Sequence, residues 1–213
     1  MIRDFEVCRS AISERLFKDA KGDVITLSEI CDIVMVASFY GLSTLKVKNF
    51  GFSREFHTNF NPDELLSEHG MYYVMNGGTD PSGYYDNYNV EAYTISISEG
   101  GNSCGYVQFN KCPFWCGGHC YSIQNIADNI NNLYLYHYLK TEEKAIMKLR
   151  IGSGLPNIQK KDLATFKIKL PTSKQQKAIS DILSLLEQKA EIEEQILIAM
   201  QDEKQYLLRQ MFI

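Results

Sequence analysis

The sequence predicts an α+β protein: a β-rich domain with small helices, followed by one long C-terminal helix of coiled-coil character. Three observations carry this. From residue 23 to about 125, short β-branched and aromatic runs alternate with glycine-rich breaks. From Ser173 to Ile213, apolar residues recur in steps of three, four and seven, with no proline or glycine between them. Joining the two, Gly152 to Asn157 reads as a turn, and Phe166 to Pro171 as a short strand with a stop. The expected organisation is residues 1–20 as an N-terminal helix, 21–170 as the β-rich domain, and 171–213 as the long helix.

The elements follow in order. Phe5, Cys8, Ile12 and Leu16 stand at helical spacing among charges, which predicts an amphipathic helix over residues 2–18 ended at Gly22-Asp23. Val24–Leu27, Ile33–Val36, Tyr72–Met75, Ala92–Ile97 and Gly105–Phe109 are strand candidates, the last two joined by the turn Gly100-Gly101-Asn102-Ser103. Residues 43–70 are polar and weakly patterned, and read as loop or insertion. Gly77 to Gly83 is a breaker-rich loop. Residues 128–148 turn helical, marked by Leu133, Tyr136, Leu139, Ile146 and Leu149. Ser173 with Gln176 is a candidate capping box opening the last helix. Within that helix Ile182, Leu186, Ile192, Ile196, Met200 and Leu207 form an apolar seam, interrupted at Glu187-Gln188-Lys189. At about 1.5 Å per residue the helix is on the order of 55–60 Å long, which suits a spacer or an assembly surface.

The bulk numbers narrow the function classes. The 213 residues are 45% hydrophobic and 23% charged, ordinary for a folded chain. The longest apolar stretch, near Ile33 to Leu42, is too short to cross a bilayer. The start, with Arg3, Asp4 and Glu6, does not read as an export signal, so the expected compartment is the cytoplasm and the six cysteines are expected as free thiols. Net charge is −4, divided as +1 over residues 1–18, −3 over 19–173 and −2 over 174–213. No segment is strongly basic, so any nucleic-acid contact requires cations gathered on one face.

Motifs of catalysis are missing. There is no phosphate-binding Gly-x-x-x-x-Gly-Lys-Ser/Thr loop, and Asn61-Pro62-Asp63-Glu64 does not match the Asn-Pro-Pro-Tyr/Phe signature of adenine methyltransferases. Cys112, Cys116, His119 and Cys120 could supply a tetrahedral zinc site if Gly117-Gly118 folded as a knuckle. In an extended strand they would not converge, and the expectation is cysteines packing a β core with no metal.

Val24 to Cys31, Tyr73 to Gly78 with Pro81 to Tyr84, Thr94 to Val107, and the junction Gly152–Asn157, Ile168–Pro171 and Gln175–Leu183 together resemble, in order and spacing, the specificity (S) subunit of type I restriction–modification enzymes. The family has Glu-Gln where Gln175-Gln176 stands. A full S subunit carries two target recognition domains and two spacer helices; this chain carries one of each and so resembles a half subunit, with residues 2–18 similar to the tail of a preceding spacer. The resemblance implies a non-catalytic protein without a cofactor of its own, S-adenosylmethionine being bound by the partner methyltransferase. It implies double-stranded DNA, a modification subunit and a restriction subunit as partners, and no membrane. With one recognition domain, self-association through antiparallel C-terminal helices is expected, and the helix would act as a ruler between two half-sites. Polar and basic loop residues are then the DNA-binding candidates: Lys46, Lys48, Arg54, Asn76, Thr79, Ser82, Tyr84, Asn102, Ser103, Arg150 and Ser153, with Lys160, Lys161, Lys167 and Lys169 as possible followers of phosphates. The alternatives are an interaction remnant of such a subunit that no longer binds DNA, and a zinc-containing stand-alone enzyme.

Overall fold

The computed structural model describes residues 2–35, 70–152 and 154–211. In chain order the elements are α1 (Ile2–Asp19), β1 (Asp23–Thr26), a 3-10 turn (Leu27–Glu29), β2 (Asp32–Met35), β3 (Tyr72–Met75), β4 (Gly83–Tyr85), β5 (Thr94–Ser98), β6 (Val107–Asn110), β7 (Trp115–Cys116), β8 (Cys120–Gln124), α2 (Asn132–Thr141), α3 (Glu143–Met147), α4 (Lys160–Ala164), β9 (Lys167–Leu170) and α5 (Ser173–Met211). They form two compact units. A helical unit collects residues 1–25, 128–141 and 169–213; a β-rich unit collects 26–127 and 142–168. Residues 128–141, which a linear division assigns to the middle domain, therefore belong with the two terminal helices. The pair β1–β9 carries both chain crossings between the units.

The helical unit is a bundle of α1, α2 and α5. Its core is Phe17, Tyr134, Ile179 and Leu183, flanked by Ile12, Leu16, Ala20, Tyr138 and Leu186. The buried stripe of α1 differs from the one expected: Cys8 is exposed, whereas Ser13 and Phe17 are buried. The cause is that α1 lies against both α2 and α5, and a helix seated on two neighbours buries a wider arc than one neighbour covers. Phe17 meets Tyr134 and Tyr138 edge-on, with ring centroids 5.6 and 5.2 Å away. The Tyr134 hydroxyl donates to the Lys169 carbonyl at 2.6 Å, and burial raises its pKa.

Two polar groups fix the α5 end of this bundle. The Gln176 side chain is buried, accepts from the Asn131 N–H at 2.8 Å, and donates to the Pro171 and Asn129 carbonyls at 3.0 and 3.3 Å. The helix cap is Thr172, one residue before the expected Ser173: its Oγ1 accepts from Gln175 N at 3.4 Å and donates to Gln175 Oε1 at 3.1 Å. Gln176 is thus committed to the core and unable to serve as the reciprocal cap. Further along, Glu187 Oε1 accepts from Arg9 at 3.2 Å and from the Tyr136 hydroxyl at 3.1 Å, while His137 Nε2 lies 3.1 Å from Ser184 Oγ. This polar layer sets the register of three helices at once. From residue 194 to 211, α5 is exposed on every face.

In the β-rich unit a four-stranded antiparallel sheet runs β2-β8-β5-β6, and a three-stranded sheet runs β4-β3-β7 with β3 and β7 parallel. Ile33, Ile95, Ile97, Val107, Tyr121 and Ile123 fill the core of the first; Met75, Val90, Phe114, Cys116 and Cys120 form a second cluster, with Tyr73 stacked on Phe114. Asn110, almost fully buried, ties β6 to both neighbours. It donates to the Thr94 carbonyl and Ser96 Oγ, and accepts from the Tyr73 hydroxyl at 3.0 Å. The central strand β8 is not singled out by the sequence. Its residues Cys120 to Ile123 are buried on both faces, so the polar–apolar alternation that marks a strand is missing. Residues 43–70 lie within the segment outside the described residues.

Candidate nucleic-acid interface

Four loops of the β-rich unit are laced together: 76–82 after β3, 99–106 between β5 and β6, 117–119 between β7 and β8, and 151–159 before α4. Glu99 and His119 are the crossing point. Glu99 N donates to the His119 carbonyl at 2.9 Å, and His119 Nδ1 lies 3.0 Å from Glu99 Oε2. Asn76 Oδ1 accepts from His119 N at 3.2 Å, and Ser98 Oγ donates to the Gly77 carbonyl at 2.5 Å. On the other side Ile158 N donates to the Glu99 carbonyl and Gly101 N to the Pro156 carbonyl, both at 2.9 Å. Ile151 and Asn157 bridge each other, closing the last loop on itself.

Two glycines make this lacing possible. Gly77 adopts φ +89°, and a Cβ there would lie 2.8 Å from the His119 carbonyl oxygen. A Cβ on Gly117 would lie 2.6 Å from Asn76 Oδ1. A side chain at either position would drive the loops apart.

The structure therefore gathers some of the expected residues. Asn76 is exposed and anchored to His119. Asn102 and Ser103 occupy the turn that Gly101 fastens to Pro156. Arg150 is exposed beside that turn, close enough for its charge to lower the Cys104 thiol against the larger upward push of burial and Glu99. Thr79, Ser82 and Tyr84 sit further along their loop and on β4: Thr79 Oγ1 bonds to Asp80, Ser82 N to the Val74 carbonyl, and Tyr84 faces Tyr73 in register. Lys46, Lys48, Arg54 and Ser153 lie outside the described residues. Of the extra lysines, Lys160, Lys161 and Lys167 are exposed, but Lys169 has a structural task. Its Nζ donates to the Phe17 and Lys18 carbonyls at 3.0 and 3.2 Å, neutralising the C-terminal end of α1.

Glu99 and His119 are missing from the sequence-based set of DNA-binding residues. His119 was legible only as one of four clustered metal-ligand types. Its true partner is 20 positions away. The cluster itself is dispersed: Cys112 is exposed, Cys116 and Cys120 pack in the core with burial and mutual proximity pushing the Cys116 thiol far up, and His119 turns to Glu99. Among the described residues no group of three or more His, Cys, Asp or Glu could hold a metal ion.

Chemically, the gathered surface offers an amide, a carboxylate, an imidazole, a hydroxyl and a guanidinium on loops held rigid by backbone bonds. Amide groups can pair with adenine edges, carboxylates accept from cytosine N4, and guanidinium groups serve guanine or phosphate. No described helix is long and apolar enough to cross a membrane.

The family model for the type I restriction modification DNA specificity domain matches residues 23–201. Proteins assigned as type I specificity subunits in Mycoplasma genitalium and Mycoplasma pneumoniae are 34% and 35% identical over 131 and 130 residues, which is 60% of this chain and 34% of each relative. The match thus spans about a third of the length of these relatives. The crystal structure of a type I restriction–modification S subunit from M. genitalium overlays with TM-score 0.62 at 27% identity, covering 78% of this chain and 39% of that one. The HsdS subunit from Thermoanaerobacter tengcongensis (TM-score 0.59, 18% identity, 90% and 45% covered) shares the fold. So does a chain from a type I R-M system solved for its complex assembly (TM-score 0.64, 18% identity, 97% and 50% covered). With the matched model running from β1 through most of α5, this chain belongs to the type I restriction modification DNA specificity domain family.

Proposed function

We propose that this chain is the sequence-reading part of a type I restriction–modification system. It binds double-stranded DNA through the four laced loops and positions a methyltransferase subunit, and with it a nuclease subunit, on a bipartite target. It performs no chemistry itself; S-adenosylmethionine is bound by the modification subunit. The observation that supports this reading most directly is the Glu99–His119 crossing, which holds exposed polar side chains from separate loops on one preorganised surface within a DNA specificity fold. Loops braced in this way lose little entropy on binding, so their polar groups discriminate between bases rather than adapt to them.

The exposed distal half of α5 supports self-association through antiparallel C-terminal helices. Two copies related by a two-fold axis would present two identical reading surfaces, and the DNA target would be two identical half-sites in inverted orientation. The test is methylation mapping of the host genome with and without the gene. Loss of one methylated bipartite motif with inverted-repeat halves is the expected result. An unchanged methylome with active modification subunits present would overturn the reading.

A further inference from the structure

Along α5 the exposed apolar positions are Leu185, Ile192, Ile196, Met200 and Leu207, each between 52% and 64% exposed. At about 100° per residue they fall within one stripe roughly 80° wide, together with Lys189 and Glu203. The stripe points roughly 120° away from the bundle face built by Ile179, Leu183 and Leu186. Leu186, one of the expected seam residues, belongs to that bundle face. Ile182 lies on the exposed stripe just before Leu185.

The seven stripe positions 185, 189, 192, 196, 200, 203 and 207 are separated by steps of four, three, four, four, three and four. This pattern reads the same in both directions about Ile196. Its chemistry does too. Reversing the helix about that point sets Leu185 opposite Leu207, Ile192 opposite Met200 and Ile196 opposite itself. It also sets the one lysine of the stripe, Lys189, opposite its one glutamate, Glu203. The eleven-residue spacing Leu185–Ile196–Leu207 suits nearly straight helices, which keep one stripe aligned over the roughly 33 Å between the ends.

Resting on the self-association reading, we propose that α5 pairs with α5 of a second copy, antiparallel, about a two-fold axis through Ile196. The palindrome of spacing and charge selects this occupant. A methyltransferase helix would have no reason to mirror it. A parallel pair would set Lys189 against Lys189 and Glu203 against Glu203, which repel. Lys189 is available for the pairing: its side chain is mostly exposed, its Nζ is 3.8 Å from Glu193 Oε1, and it lies 5.9 Å over the Phe5 ring.

The test uses the full chain carrying Cys8→Ser and Cys112→Ser, which removes the two exposed thiols. Ile196→Cys alone should give a covalent dimer on mild oxidation, because a residue on the axis meets its own copy. Ile192→Cys alone should give little, and a mixture of Ile192→Cys with Met200→Cys should give the mixed dimer. In sedimentation, Lys189→Glu or Glu203→Lys should each weaken the dimer about 10-fold, two ion pairs being lost per dimer, and the double exchange should restore it. A dimeric mass with cross-linking at Ile192→Cys alone, or without rescue by the double exchange, would overturn this register and leave self-association standing. A monomeric mass at micromolar concentration would overturn both.

Discussion

His137 makes the helical bundle sensitive to acid. It is buried between α2 and α5, with Nε2 on Ser184 and Nδ1 3.7 Å from Glu187. Burial, and secondarily the Arg9 charge, hold its pKa down at about 4, against about 6.5 for an unfolded histidine. The folded chain therefore binds fewer protons than the unfolded chain between those values. Stability is unaffected above about pH 6.5, falls as pH drops through the window from 6.5 to 4, and levels off below it. Moving from pH 7 to pH 5 should cost about 2 kcal/mol through this residue alone, with a limiting loss of about 3 kcal/mol. The assay is urea unfolding followed by circular dichroism at pH 7, 6 and 5 for the natural chain and for His137→Gln, which can still hydrogen-bond to Ser184 but cannot take up a proton in this range. Other titrating groups cancel in the difference. The variant should lose about 2 kcal/mol less than the natural chain over this interval. Parallel pH profiles, within about 0.5 kcal/mol, would refute the claim that the imidazole is buried neutral.

Two further outcomes test the reading surface. Gly77→Ala forces a Cβ to within 2.8 Å of the His119 carbonyl at φ +89°, and should cost about 1–3 kcal/mol, seen as a drop of several degrees in Tm; an unchanged Tm would mean that the loops are not braced there. His119→Ala, at an exposed position, should leave Tm almost unchanged and weaken DNA binding about 10-fold; unaltered affinity would move the interface away from the Glu99–His119 crossing.

Much of the architecture is written locally. Tyr72–Met75 is a strand of the predicted extent, because β-branched and aromatic residues stand between breakers. The hairpin of β5 and β6 is anticipated by alternation and by Gly100-Gly101. The long helix is anticipated by its period and by the lack of any breaker from Ser173 to Met211. Asn76, Asn102, Ser103 and Arg150 are legible as loop polars, and the resemblance to the S subunit is legible in the order of these segments. What escaped had no local signature: β8 is buried on both faces, Phe17 rather than Cys8 is decided by the number of helices α1 touches, and the cap shifts to Thr172 because Gln176 is needed in the core.

The exposed stripe of α5, its palindrome about Ile196 and the family of the chain were determined by the sequence alone, because helical period and residue order are properties of neighbours along the chain. The Glu99–His119 crossing, the Arg9–Glu187–Tyr136 layer and the gathering of residues 128–141 with the terminal helices were decided only by the tertiary structure. Each joins residues between 20 and about 180 positions apart. Which distant groups meet depends on how elements pack, and no local pattern of charge or hydropathy records it.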